Sequence, residues 1–270
     1  MKLKIENEKL KNRRFQFSIF NFQFAGSRRY LHAAYIDLRL FLTGKREKGL
    51  PPLRLRDVGG GDFKRIGEEL AALLIAHGLQ PEHRVLDIGC GVGRVALPLT
   101  RFLTSGTYDG FDIVKRWIRW CRRNITPAHP NFRFAHADVY NSHYNRRGVP
   151  ASRYRFPYDD ASFDFVFATS VFTHLDPAGA RNYLREAQRV LRPGGTLLAT
   201  FFILDEPLEN PALDFKVDRG DHRLLSENDP DWAIAFDRSI LDELPSSTIE
   251  RGAWRNQGGA QFQDVVISRR

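Results

Sequence analysis

The stretch Val85-Leu86-Asp87-Ile88-Gly89-Cys90-Gly91-Val92-Gly93-Arg94 constrains the fold more tightly than any other part of this 270-residue chain. A short apolar strand runs into a turn with glycine at every second position, and a helical segment follows at once. Gly89, Gly91 and Gly93 let backbone come close to a ligand. Their N–H groups and the helix N-terminus favour a negative group there. A glycine turn alone is a weak signal, but the strand before it and the helix after it make it specific.

The flanking sequence repeats the strand–helix unit. Asp62 is the expected N-cap of a helix reaching about His77, with Gly78 as its stop. Strands are expected at Arg84–Ile88, Thr107–Phe111, Phe132–His136, Phe163–Ala168 and Thr196–Phe202. Helices are expected at Gly93–Phe102, Ile113–Arg123 and Pro177–Leu191, the last ended by Pro193-Gly194-Gly195. Such alternation demands a mostly parallel sheet with right-handed crossovers. The nearly all-apolar Phe163–Ala168 reads as a central strand. After Leu204 the pattern changes to an acidic, proline-containing insert running to about Asp231, then a helix at Ser239–Leu244. The strands Ser247–Ala253 and Phe262–Ile267 are joined too tightly for a crossover helix, so they pair antiparallel.

Residues 1–61 form a separate N-terminal region, ahead of a domain at 62–270. Phe15, Phe17 and Ile19 alternate, then Phe20, Phe22 and Phe24 alternate in the opposite phase, which suggests a bulged strand or a docking segment. A helix over 27–42 places Leu31, Ala34, Tyr35, Leu38, Phe41 and Leu42 on one face, and Gly44 ends it. Residues 1–56 carry 14 Lys/Arg against 4 Asp/Glu, whereas the remainder carries 27 against 28, so the net charge of +9 belongs to this arm. A basic arm attracts phosphates or an anionic membrane surface; its plainer role is a solvated tail. The N-terminus lacks the apolar core of a secretory signal, and no apolar run is long enough for a transmembrane helix. Two cysteines, Cys90 and Cys121, make no disulfide framework, and a reducing cytoplasm is expected. No metal-ligand spacing occurs: His136 and His143 lack a third ligand.

Two carboxylates follow the strand ends. Asp112 closes the second strand, 21 residues after Gly91, where a carboxylate can accept both hydroxyls of an adenosine ribose. Capping of the next helix is its other reading. Asp138, just past the third strand, can accept from an adenine amino group while Val139 packs on the ring; otherwise it is a polar turn residue.

These residues resemble the class I S-adenosylmethionine-dependent methyltransferases, with a Rossmann-like, methyltransferase type 11/25-like domain. VLDIGCGVGR is similar to that family's first motif, Asp112 to its acidic residue after strand two, and Asp138-Val139 to its adenine motif. SFDFVFATSVFTHL is similar to its fourth motif, and RVLRPGGTLLATFF to its following helix and fifth strand. The resemblance covers residues 62–204 firmly and 232–270 loosely. It implies an α/β three-layer sandwich with a seven-stranded sheet of order 3-2-1-4-5-7-6, strand 7 antiparallel. It also implies a cofactor site for S-adenosyl-L-methionine drawn from Asp87, Gly89, Cys90, Gly91, Gly93, Asp112, Ile113, Asp138, Val139 and Ser170. GGGDF at 59–63 and GAWRNQGGAQFQD near the C-terminus look like features of one bacterial subgroup.

A nicotinamide dehydrogenase would want Gly-x-Gly-x-x-Gly, and Arg94 stands where the third glycine belongs. Methyl transfer needs chiefly proximity and orientation, with a general base if the acceptor is a hydroxyl. His174, after the fourth strand, is the candidate base; packing near the cofactor is its plainer role. Ser170 and Phe172 read as pocket walls, Trp117 and Trp120 as packing, and Asn145-Arg146-Arg147 with Arg153 and Arg155 as a solvated basic loop. The expected acceptor is small or carbohydrate-like, and helix 27–42 with loop 43–61 is expected to cover the cofactor edge. Two other classes remain open: a nucleic-acid methyltransferase or binder using the basic arm, and a non-catalytic cofactor-binding scaffold.

Overall fold

A computed structural model describes residues 22–56, 61–205, 213–255 and 262–270. The chain divides into two compact units, 1–60 and 61–270.

In the first unit a helix spans Phe22–Leu42. Phe22 and Phe24 are therefore helical and not part of a strand. The alternating positions 15–20 lie outside the described residues. The helix ends at Gly44 (φ +66°), where the Lys45 N–H donates to the Leu40 carbonyl. The buried Asp37 carboxylate accepts from the Leu53 and Arg54 N–H groups at 2.7 and 3.2 Å and from Arg54 Nη1 at 3.0 Å. These bonds fix the 3₁₀ turn Leu53–Leu55 against one side of the helix. The side bearing Leu31, Tyr35, Leu38 and Leu42 stays exposed.

The second unit opens with the helix Phe63–Ala76, whose N-cap Asp62 accepts from the Arg65 N–H at 2.8 Å. Strands follow at Arg84–Ile88 (β1), Thr107–Asp112 (β2), Phe132–His136 (β3), Phe163–Ala168 (β4) and Leu191–Phe201 (β5). Three short strands, Val217–Asp218 (β6), His222–Leu224 (β7) and Ile234–Phe236 (β8), form a separate antiparallel sheet. Thr248–Arg255 (β9) and Phe262–Arg269 (β10) complete the main sheet, whose order is β3-β2-β1-β4-β5-β10-β9. β1 to β5 pair in parallel; β10 runs antiparallel to both β5 and β9. This is the seven-stranded pattern that the sequence resemblance implies.

β4 is central, and Phe165, Val166, Phe167 and Ala168 are completely buried. Each large apolar side chain so buried contributes roughly 1.5–3 kcal/mol. The resulting rigid sheet carries its loops at the carboxyl ends of β1, β2 and β4.

Two expected helices differ. The segment Gly93–Phe102 holds only one α-helical turn, Ala96–Leu99, flanked by turns. Gly93 has φ +78°, and Pro98 has no N–H to give to the Arg94 carbonyl. Arg238–Glu243 is a 3₁₀ helix, not α. The insert after Leu204 contains β6 and β7, and β8 follows it; all three strands are too short to read from periodicity.

Candidate active site

The apolar β1 ends in Asp87, and the chain turns at Gly89 and Gly91, both left-handed (φ +76° and +56°). A Cβ on Gly89 would lie 2.4 Å from Val171 Cγ2, so the turn passes directly under the loop that follows β4. A Cβ on Gly91 would meet nothing within 4 Å, so space is open beside that residue. Behind the turn, Gly67 packs so closely that its Cβ would lie 2.4 Å from the Arg94 carbonyl oxygen. The Arg94 guanidinium sits over the Phe63 ring at 5.2 Å, directed at that helix.

The glycine N–H groups are not all available to a ligand, contrary to the sequence reading. Gly89 and Cys90 donate to the Phe111 carbonyl at 2.9 and 3.0 Å, and Gly93 donates to the Cys90 carbonyl. Gly91 donates to Asp112 Oδ2 at 2.9 Å. Parallel pairing of β1 with β2 puts Ile88 opposite Phe111, which brings these donors onto the Phe111 carbonyl and the Asp112 carboxylate at the end of β2. The turn therefore supplies close backbone approach and a fixed shape.

Asp112 is buried and carries two of these constraints. Its Oδ1 accepts from the Val114 N–H at 2.7 Å, which orients the entry to the helix Lys115–Asn124. Its two oxygens offer about four acceptor sites, and the Gly91, Val114 and Ile113 N–H groups do not fill them, so acceptor capacity remains. Burial raises this carboxyl to about 6, against the lowering pull of the Val114, Gly91 and Ile113 N–H groups. Asp87 is buried beneath the turn and accepts from the Tyr108 hydroxyl. Desolvation raises it to about 8, and the neighbouring Asp112 charge adds to that. Cys90 and Cys121 are free, buried thiols, and burial pushes both upward.

Ile113 packs against the main core, and Val139 is buried within it. Asp138 is exposed and accepts from Asn145 Nδ2 at 2.9 Å. Ser170, at the end of β4, is held in a left-handed conformation (φ +56°). Its N–H donates to Thr200 Oγ1 at 2.7 Å, and Gln263 Nε2 donates to its hydroxyl at 3.0 Å. Three adjacent strands thus clamp one strained residue.

His174 closes a 3₁₀ turn after β4, and its Nδ1 lies 3.0 Å from the Asp231 carbonyl. A carbonyl only accepts, so Nδ1 carries the hydrogen. Desolvation holds the imidazole below its usual range, and it is neutral at pH 7. The same 229–232 segment also holds the loop after β3: Asp229 Oδ1 lies 2.7 Å from His143 Nε2, and Asp231 Oδ2 accepts from the Ser142 N–H at 3.1 Å. One stretch of the insert therefore fastens both loops.

Residues 85–195 match the family described as "Methyltransferase domain". That stretch is similar to a methyltransferase domain.

The chain is 36% identical over 117 residues to phthiotriol/phenolphthiotriol dimycocerosates methyltransferase 1 of Mycobacterium ulcerans, covering 43% of this chain and 36% of that protein. It is 32% identical over 152 residues to a fatty-acid O-methyltransferase of Mycolicibacterium smegmatis, covering 51% of this chain and 49% of the relative. The chain thus spans between about a third and a half of the length of these relatives. Among solved structures, a 1,6-didemethyltoxoflavin-N1-methyltransferase of Burkholderia thailandensis shares the fold at TM-score 0.52 and 18% identity, covering 77% of this chain and 79% of that one. The PH0226 protein of Pyrococcus horikoshii shares it at TM-score 0.54 and 19% identity, covering 79% and 93%.

The sequence reading missed Tyr108, Thr200, Gln263, Asp229 and Asp231. Tyr108 and Thr200 lie on strands, where strand register decides what they touch. Gln263 and the two aspartates reach the site from 93 and 57 or more residues away along the chain, with no local pattern to announce them.

Proposed function

We propose that the chain transfers a methyl group from S-adenosylmethionine to a small acceptor. The observation that carries this reading is the junction of Gly91 and Asp112. There, open space at a glycine turn adjoins a buried carboxylate with acceptor capacity left. That pairing suits an adenosine ribose beside an amino-acid tail. Asp112 would accept the ribose hydroxyls, and the turn through Gly89 and Gly91 would admit the amino-acid end. When bound, the cofactor supplies an electrophilic methyl on a sulfonium. Asp138 and Ile113 flank the expected adenine position, and Cys90, Gly93 and Ser170 fix the shape of the floor. Because Val139 lies in the core, it supports that wall from behind.

His174 is the residue to accept an acceptor proton. Its Nδ1 is fixed by the Asp231 carbonyl, and burial keeps it neutral, so Nε2 is the basic nitrogen at pH 7. The curated relatives act on phthiotriol dimycocerosates and on fatty acids by name, which favours a lipophilic hydroxyl or carboxyl acceptor over a carbohydrate-like one.

The test is to incubate the protein with methyl-labelled S-adenosylmethionine and fractionated cell extract, then to locate the label. Label in the organic-extractable fraction, lost with His174→Ala, supports the whole reading. Label in RNA or DNA would favour the nucleic-acid class. Tight cofactor binding without any labelled product would favour a scaffold.

A further inference from the structure

The helix Phe22–Leu42 presents an apolar stripe that nothing described in its own unit covers. Leu31, Tyr35, Leu38 and Leu42 recur at spacings of four, three and four, which puts them on one face. Phe41 flanks the stripe. These five side chains are 56–73% exposed. The opposite side is committed elsewhere, since Asp37 is bonded to Leu53 and Arg54. Cations gather at the same end as the bulkiest apolar residues. Arg39 lies in the last turn, and Lys45, Arg46 and Lys48 follow the Gly44 cap directly; all four are exposed. The sequence ahead of the helix adds to the positive charge, for residues 1–21 hold six Lys/Arg against two Asp/Glu.

We propose that this helix docks in the interface of an anionic lipid membrane, lying along the surface with Leu31, Tyr35, Leu38, Phe41 and Leu42 in the acyl boundary. Charge complementarity selects the occupant. Anionic headgroups meet Arg39, Lys45, Arg46 and Lys48 while the aliphatic stripe sinks a few ångströms below them. A nucleic acid would satisfy the cations but offers no aliphatic depth to the leucines. The helix is not apolar enough to cross the bilayer, so contact is peripheral. The inference does not rest on methyl transfer, because partitioning is measured without turnover.

The experiment is sedimentation of the full chain with phosphatidylcholine vesicles, with and without phosphatidylserine. Wild type is expected to pellet with the phosphatidylserine vesicles only, and to be released by high salt. Each cation near such a surface is worth about fivefold in partitioning. Lys45→Gln with Lys48→Gln should therefore weaken binding about 25-fold. Leu38→Glu with Phe41→Glu should weaken it about tenfold or more. Circular dichroism and melting temperature should match wild type for both double variants. Equal binding to neutral vesicles, or retention by either double variant, overturns the proposal. So does a dimer in light scattering that the Leu38/Phe41 variant dissociates in the absence of vesicle binding. A fall in melting temperature without vesicle binding would mean that the stripe packs inside the protein. Binding to polyuridylate that survives Leu38→Glu/Phe41→Glu, again without vesicle binding, would assign the arm to nucleic acid.

Discussion

Replacing Asp112 by alanine separates what the carboxylate does for the turn from what it does for a ligand. In the free protein its two oxygens accept the Gly91 and Val114 N–H groups at 2.9 and 2.7 Å. Losing both acceptors leaves two donors in a mostly buried place, which costs about 2 kcal/mol of stability after partial hydration. On the ligand side, two ribose hydroxyls donating to a charged acceptor contribute about 3 kcal/mol after the existing bonds are allowed for. The expected weakening of S-adenosylhomocysteine binding by calorimetry is therefore roughly 150-fold. Loss of the turn alone would also weaken binding, so the decisive comparison uses the 2′-deoxy analogue. Wild type should bind the analogue about tenfold more weakly than the parent, while Asp112→Ala should bind the two alike. The pH dependence adds a second reading. Hydroxyl donors favour the ionised carboxylate, so binding weakens as pH falls through about 6. Between pH 6 and pH 5 wild type should lose about an extra fivefold relative to the variant. An equal penalty for the deoxy analogue in both proteins, or parallel pH curves, would refute the ribose assignment.

Three further outcomes follow from the same geometry. Asp87, raised to about 8, is protonated at pH 7; a sulfonium and an ammonium nearby favour its ionised form, so cofactor binding releases about one proton. Calorimetry in two buffers of different ionisation enthalpy should give different apparent heats, and identical heats would exclude it. Gly89→Ala forces a Cβ to 2.4 Å from Val171 Cγ2 at a left-handed φ, with an expected loss of about 2–4 kcal/mol in a denaturant titration; Val171→Ala should restore only the steric part. Asp229→Asn weakens the pairing with His143, so hydrogen exchange in the loop after β3 should quicken while β1 and β4 stay protected; unchanged exchange would count against fastening by the 229–232 segment.

The sheet was readable in the sequence because burial on both faces leaves a direct trace. Phe163–Ala168 is apolar almost throughout, and Asp62, Gly78 and the glycine turn punctuate the chain where the helices and strands change over. Asp112 was readable because its spacing from Gly91 follows from one strand–helix–strand unit. The partners of these residues were not readable. Which N–H groups the turn spends on Phe111 and Asp112 depends on the register of β1 against β2, and sequence periodicity does not encode register. The clamp on Ser170 needs β5 and β10 side by side. The segment holding His143 and His174 comes from an insert with no periodic pattern at all. The exposed stripe on the N-terminal helix was legible as an apolar face, but its environment was not.

The bond between Gly91 and Asp112 has a consequence for anyone building inhibitors from pieces. The carboxylate expected to grip the sugar is the same group that sets the bend expected to admit the amino-acid tail. A fragment that occupies one half is then expected to stiffen the other. Adenosine and homocysteine measured separately should therefore sum to less than the affinity of the joined molecule, beyond the usual gain from linking. Screening either half alone would underrate this cleft.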